Sequence, residues 1–119
     1  MLSRLFSRAF SSSSSQLPMA AKDLVESALN ENKVVVFSKS YCPYCHATKS
    51  LFNDNFSSVP MRVYELDMLD EGSAIQSYLA EKTGQRTVPS VFINKRHIGG
   101  NSDAQAAFKS GKLAQLVNA

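Results

Sequence analysis

The sequence has no tryptophan and only two cysteines, and those two are separated by just two residues. A secreted scaffold held by disulfides spreads more cysteines over wider spacings. That class is excluded, and the pair reads as chemistry in a reducing compartment. No stretch approaches the ~20 apolar residues needed to span a bilayer, so no membrane partner is expected. Charge of one sign is scarce as well. The formal net charge is +3, and two of the thirteen basic residues, Arg4 and Arg8, fall in the first eighteen positions, which hold no acid. The other eleven face ten acids, a near-neutral balance that leaves no footprint for nucleic acid. There are two histidines, and two cysteines with one adjacent histidine do not make four well-placed zinc ligands. No metal is expected.

What is present centres on Cys42-Pro43-Tyr44-Cys45. The run before it, Lys33-Val34-Val35-Val36-Phe37-Ser38, is short, β-branched and apolar, the pattern of a buried strand. After it, Ala47, Leu51 and Phe52 mark one apolar stripe of a helix that fades near Asn53. Pro43 suits the first helical turn, where its missing N–H costs nothing. Cys42 then falls at the cap, facing unpaired N–H groups and the positive end of the helix dipole. A thiol so placed ionises more readily, and the thiolate is the nucleophile. Lys39, three residues upstream, is a candidate cation. Cys45 lies on the same face, deeper in the helix, where its thiol stays protonated until needed.

The 119 residues, 44% hydrophobic, amount to one small domain with extensions. Residues 1–18 are basic, serine-rich and weakly amphipathic, the composition of an organelle transit peptide rather than a secretory signal. Arg8-Ala9-Phe10-Ser11 resembles a mitochondrial processing site, and Met19 offers a second start. The reading is a mitochondrial leader or disordered tail over 1–18, a domain over 19–119, and a cytosolic form beginning at Met19.

Along that domain, Leu24, Val25, Ala28 and Leu29 share one face of a helix over 20–30. Residues 61–67 alternate as a second strand. Ala74, Ile75, Tyr78 and Leu79 stripe a helix over 70–83 that Gly84 ends. Residues 88–93 form a third strand with Pro89 at its start. Asn94-Lys95 turns the chain into a short fourth strand over 96–98, where His97 reads as structural. Gly99-Gly100 allows close backbone approach, Asn101-Ser102-Asp103 caps a helix over 104–109, Gly111 interrupts, and 112–117 closes with a short helix. The order predicts an α/β fold: a four-stranded mixed sheet flanked by helices on both faces, its last two strands a hairpin.

Three motifs in this order carry a family resemblance: Lys39-Ser40-Tyr41-Cys42-Pro43-Tyr44-Cys45, Thr87-Val88-Pro89 and Gly99-Gly100-Asn101-Ser102-Asp103. From about Ala20 onward the chain resembles a dithiol glutaredoxin, closest in look to the fungal type. It departs from the thioredoxin pattern Trp-Cys-Gly-Pro-Cys. The resemblance implies a thioredoxin-like fold with Pro89 cis, and glutathione as reductant and co-substrate. It implies catalysis by Cys42 as nucleophile and Cys45 as resolving thiol, acting on glutathionylated and disulfide-bonded proteins as a monomer. It also implies a glutathione site. Lys39 and Gln76 would take the glycine carboxylate, and Val88 would pair backbone to backbone. The N–H groups of Ser102 and Asp103 would hold the γ-glutamyl carboxylate, with the Asp103 side chain facing its ammonium. Tyr44, Thr87 and Pro89 would line the groove.

Two other readings compete. Cys42 to His46 also fits the Cys-x-x-Cys-His haem-attachment motif, but the preceding strand and the Thr-Val-Pro turn have no role there. Some glutaredoxins bind a glutathione-ligated [2Fe–2S] cluster as a dimer. Members with proline after the first cysteine, as Pro43 here, generally do not.

Overall fold

A computed structural model describes residues 13–119; residues 1–12, and with them most of the expected leader, lie outside it. The elements are α1 (Ser13–Glu31), β1 (Val34–Ser38), α2 (Pro43–Asn55), β2 (Met61–Glu65), a 3₁₀ turn (Leu66–Met68), α3 (Gly72–Thr83), β3 (Ser90–Ile93), β4 (Arg96–Gly99), α4 (Asn101–Ser110) and α5 (Lys112–Asn118). The strands form one mixed sheet in the order β2-β1-β3-β4. β1 runs parallel to β2 and antiparallel to β3, and β3 pairs antiparallel with β4. The four-stranded mixed sheet and the hairpin of its last two strands are as expected; the spatial order of the strands comes from the structure. The structure is of the thioredoxin-like class.

β1 occupies the centre because every residue in it can be buried on one face or the other. All five of its side chains are buried, as a strand covered on both faces requires. On one face Val35, Phe37 and Phe92 pack against Val25, Ala28 and Leu29 of α1 and Ile75 and Leu79 of α3. On the other, Val34, Val36, Val91 and Ile93 meet Leu51 and Phe52 of α2, Ala104 of α4, and Leu113 and Val117 of α5. The helical stripes in the sequence are these buried faces. Full burial of one such Val, Leu, Ile or Phe side chain stabilises by ~1.5–3 kcal/mol, and this double layer is what holds the ends of β1 and β3 in place for the site.

Several element boundaries differ from expectation. α1 starts at Ser13 rather than Ala20, inside the segment read as leader, and it buries Ala21, Val25, Ala28 and Leu29. β2 ends at Glu65, where the chain turns into the 3₁₀ segment. β3 begins at Ser90, not Val88, and the Val88–Pro89 bond just before it is cis. Asn94 and Lys95 both take positive φ, 49° and 70°, the conformation of a tight two-residue hairpin turn. The cap of α4 is Gly100, and Asn101 to Asp103 form the first turn instead of preceding it. Asp103 Oδ2 accepts the Gly100 N–H at 3.0 Å. Gly99 stands at φ 124°, and a Cβ there would sit 2.2 Å from that same Oδ2. Only glycine admits the carboxylate so close to the chain.

Candidate active site

The end of β1 hands the chain to α2 through Lys39–Cys42, and this loop is fastened from two sides. Asp67 accepts the Ser40 N–H at 2.9 Å and the Ser40 hydroxyl. His46 Nε2, one turn into α2, lies 2.6 Å from the Ser40 carbonyl and donates to it. The Cys42 N–H reaches back to the Lys39 carbonyl at 3.1 Å. Cys42 is therefore held as the α2 N-cap in extended backbone (φ −90°, ψ 121°), with Pro43 at the start of the helix. The thiol is partly exposed and free of a disulfide.

The environment of Cys42 favours the anion. Burial works against it, but the Cys45 N–H, the Cys45 thiol, the Tyr44 N–H and the charge of Lys49 outweigh burial and hold the thiol below the ordinary cysteine range. The cation in this balance is Lys49 on α2, where the sequence had pointed to Lys39. The reason is the helix: Lys49 is two turns along α2 from Cys42 and is fixed by an ion pair with Glu65 of β2 at 2.6 Å. Lys39 instead exerts its field on Asp67. Cys45 behaves oppositely. Its side chain is fully buried, and burial pushes its thiol up, against hydrogen bonds from the Lys39 N–H and the Ser38 hydroxyl. Two thiols three positions apart are thus driven in opposite directions by one helix start.

Beside this cap lies a cavity of about 630 Å³ lined by Tyr44, Gln85, Thr87, Val88, Pro89 and the first turn of α4 from Gly100 to Asp103. Six of the eight residues predicted to bind glutathione border it: Tyr44, Thr87, Val88, Pro89, Ser102 and Asp103. Lys39 and Gln76 share a separate, smaller cavity of about 310 Å³, and Gln76 Nε2 donates to the Arg86 carbonyl at 2.8 Å. The N–H groups of Asn101, Ser102 and Asp103 belong to the first helical turn, which has no intrahelical acceptors. Thr48 of α2 donates to Asn101 Oδ1 at 2.9 Å. This bond sets the α4 N-terminus against the helix that carries both cysteines.

Gln85 was not among the predicted site residues. Its Nε2 donates to the carbonyls of Thr87 and Pro89, both at 2.8 Å, and its Oε1 lies 3.0 Å from His97 Nε2. It is part of the cavity wall and ties down the Thr87–Pro89 backbone beside it. The only sequence signal was an amide beside the Thr-Val-Pro turn. His97 is structural as expected, and burial lowers its pKa despite the pull of Asp103. Among the described residues, no three His, Cys, Asp or Glu side chains gather as a metal-ligand set, and no helix is long and apolar enough to cross a membrane.

A thioredoxin-like sheet with a cap cysteine favoured as thiolate and a buried second thiol three positions on defines a thiol oxidoreductase. The family described as Glutaredoxin matches residues 34–98. The chain is 48% identical over 97 residues to Glutaredoxin-2 of Schizosaccharomyces pombe, covering 82% of this chain and 86% of that protein. It is 43% identical over 108 residues to the mitochondrial Glutaredoxin-2 of Bos taurus, covering 91% of this chain and 68% of that one. The crystal structure of a buckwheat glutaredoxin–glutathione complex is similar at TM-score 0.80 and 40% identity, over 90% of this chain and 94% of the other. The chain belongs to the glutaredoxin family, and it is a glutathione-dependent thiol oxidoreductase.

Proposed function

We propose that the chain reduces protein–glutathione mixed disulfides through Cys42 alone and protein disulfides through Cys42 and Cys45 together. The observation that carries this reading is the opposed bias of the two thiols, Cys42 lowered at the α2 cap and Cys45 raised beneath it. In the first route the Cys42 thiolate attacks the glutathionyl sulfur, the protein thiolate leaves, and free glutathione then releases Cys42 as glutathione disulfide forms. In the second route Cys42 attacks a protein disulfide and Cys45 resolves the mixed disulfide, leaving Cys42–Cys45 oxidised for two glutathiones to reduce.

The cavity suits a tripeptide. Its volume of about 630 Å³ lies within the ~300–1,000 Å³ of small-molecule sites. The α4 N-terminus offers N–H groups and a favourable dipole to a carboxylate. The glutathione complex of the buckwheat relative supports the same occupant here. In this reading Ser102 and Asp103 hold the γ-glutamyl end and Val88 the middle. Lys39 and Gln76, from the smaller cavity they share, hold the glycine end. The protein acts as a monomer on glutathionylated and disulfide-bonded proteins. It works in mitochondria, with a cytosolic form from Met19. The acid-free leader supports this placement, as does the mitochondrial relative from cattle.

The test is a glutathione-coupled assay on a glutathionylated peptide and, separately, on a protein disulfide. Cys42→Ser loses both activities. Cys45→Ser keeps the first and loses the second. Undiminished deglutathionylation by the Cys42→Ser protein would overturn the reading.

A further inference from the structure

His97 takes no part in the thiol chemistry, yet one continuous set of hydrogen bonds runs from it to the proposed glutathione groove. The link is Gln85, just past the left-handed stop of α3 at Gly84, with its N–H held by the Thr83 hydroxyl at 3.0 Å. Its Nε2 donates to the carbonyls of the residues on either side of Val88, Thr87 and Pro89, each at 2.8 Å. A carbonyl only accepts, so the amide nitrogen must face the turn and Oε1 must face β4. There Oε1 meets His97 Nε2 at 3.0 Å. An amide oxygen also only accepts, so His97 is the donor. Burial lowers the pKa of the ring against the pull of Asp103, so at neutral pH the ring is uncharged and its one proton sits on Nε2. The ring is held in place as well. The β3–β4 register sets His97 opposite the buried Phe92, and the two rings lie 5.1 Å apart. The α4 cap lies alongside the same amide: a Cβ on Gly100 would stand 3.7 Å from Gln85 Nε2 and 3.6 Å from the Pro89 carbonyl oxygen.

We infer that His97 is a positioning residue for glutathione, acting through Gln85 to fix the span between the Val88 backbone and the α4 N-terminus. These are the two places where the groove takes the middle of the tripeptide and its γ-glutamyl carboxylate. A flexible ligand makes both contacts at once only where the protein holds them at a set separation. The His97 N–H orients the Gln85 amide, the amide ties down the turn that carries Val88, and both stand beside the Gly100 cap. Without the donor, Oε1 loses its partner, the amide is free to turn, and its grip on Thr87 and Pro89 loosens. Neither cysteine touches this set of bonds. Attack by Cys42 on a disulfide with no γ-glutamyl group therefore does not depend on it.

The inference rests on the glutathione placement proposed above, and one experiment tells the two apart. Reduced full-length protein is mixed with excess of one peptide in two forms, its cysteine disulfide-bonded to glutathione or to cysteinylglycine, which lacks the γ-glutamyl group. The second-order rate of peptide thiol release is measured for each, and the ratio of the two rates is the selectivity. The wild type favours the glutathionylated form. His97→Phe keeps a ring against Phe92 but has no donor, and its selectivity falls about fivefold, the scale of one lost net hydrogen bond, through the glutathionyl rate alone. His97→Gln restores a donor and returns the selectivity toward the wild type. A His97→Phe protein with wild-type selectivity overturns the inference, as does one slowed equally on both peptides. Should that variant fail to fold, the ring of the wild type decides by ¹⁵N NMR at neutral pH: a proton on Nε2 supports the inference, and a proton on Nδ1 with Nε2 bare overturns it. A wild type with no preference between the two peptides sinks the glutathione placement itself, and the role of His97 with it.

Discussion

Gln85→Ala tests whether the cavity wall is set by the bonds described. The substitution removes two donations of 2.8 Å, to the Thr87 and Pro89 carbonyls, and the 3.0 Å contact with His97. A net hydrogen bond stabilises by ~1 kcal/mol. Thr87 is exposed, so water replaces its lost partner at little cost, whereas Pro89 is buried and its carbonyl is not so easily rehydrated. The sum is a loss of roughly 1–2 kcal/mol, which lowers the melting temperature by about 5–10 °C for a domain of this size. The same bonds hold Thr87 and Val88 in line. KM for a glutathionylated peptide should therefore rise severalfold while kcat stays close to wild type, because neither cysteine is touched. Thermal unfolding and steady-state kinetics read the two effects. A variant that melts with the wild type and binds substrate as well would refute the reasoning.

Two further outcomes concern stability. The folded state keeps His97 neutral by burial, so its pKa lies below the unfolded value. The unfolded chain then binds the extra proton, and stability is lost as pH falls below ~6.5 toward the folded pKa. His97→Gln should flatten that part of the curve in urea titrations across pH, and an unaltered curve would contradict the assignment. Gly72 opens α3 with no room for a side chain, since a Cβ would lie 1.9 Å from the Leu66 carbonyl oxygen. Gly72→Ala should cost about 1–3 kcal/mol, the usual scale of overpacking, as a lower urea midpoint; an unchanged midpoint would show that the 3₁₀ turn yields freely.

The fold was largely legible because the buried faces wrote themselves into the spacing. Val34 to Phe37 could only be a strand covered twice, and the stripes at Val25/Ala28/Leu29 and Ile75/Leu79 could only be helices laid on it. The cap position of Cys42 followed from Pro43. Boundaries set by tertiary bonds were not legible. β2 gives way early to the 3₁₀ turn whose Asp67 holds Ser40, and Asp103 folding back on Gly100 moves the α4 cap. The cation beside Cys42 was misplaced for a similar reason. Nearness in sequence favoured Lys39, but Lys49, two turns along the helix that Cys42 caps, exerts the field, and Glu65 pins it there. Gln85 left no periodic trace at all, since its work is done on backbone carbonyls that any residue could carry.

The central claim is that backbone donors and Lys49 stabilise Cys42 as its anion. Alkylation of the full-length protein by iodoacetamide across pH, with modification at Cys42 and Cys45 resolved by mass spectrometry, tests it most directly. The account predicts a midpoint for Cys42 below the ~8.5 of a free cysteine, moved upward by Lys49→Gln, with Cys45 unreactive throughout that range. A Cys42 midpoint at or above that of free cysteine would contradict it.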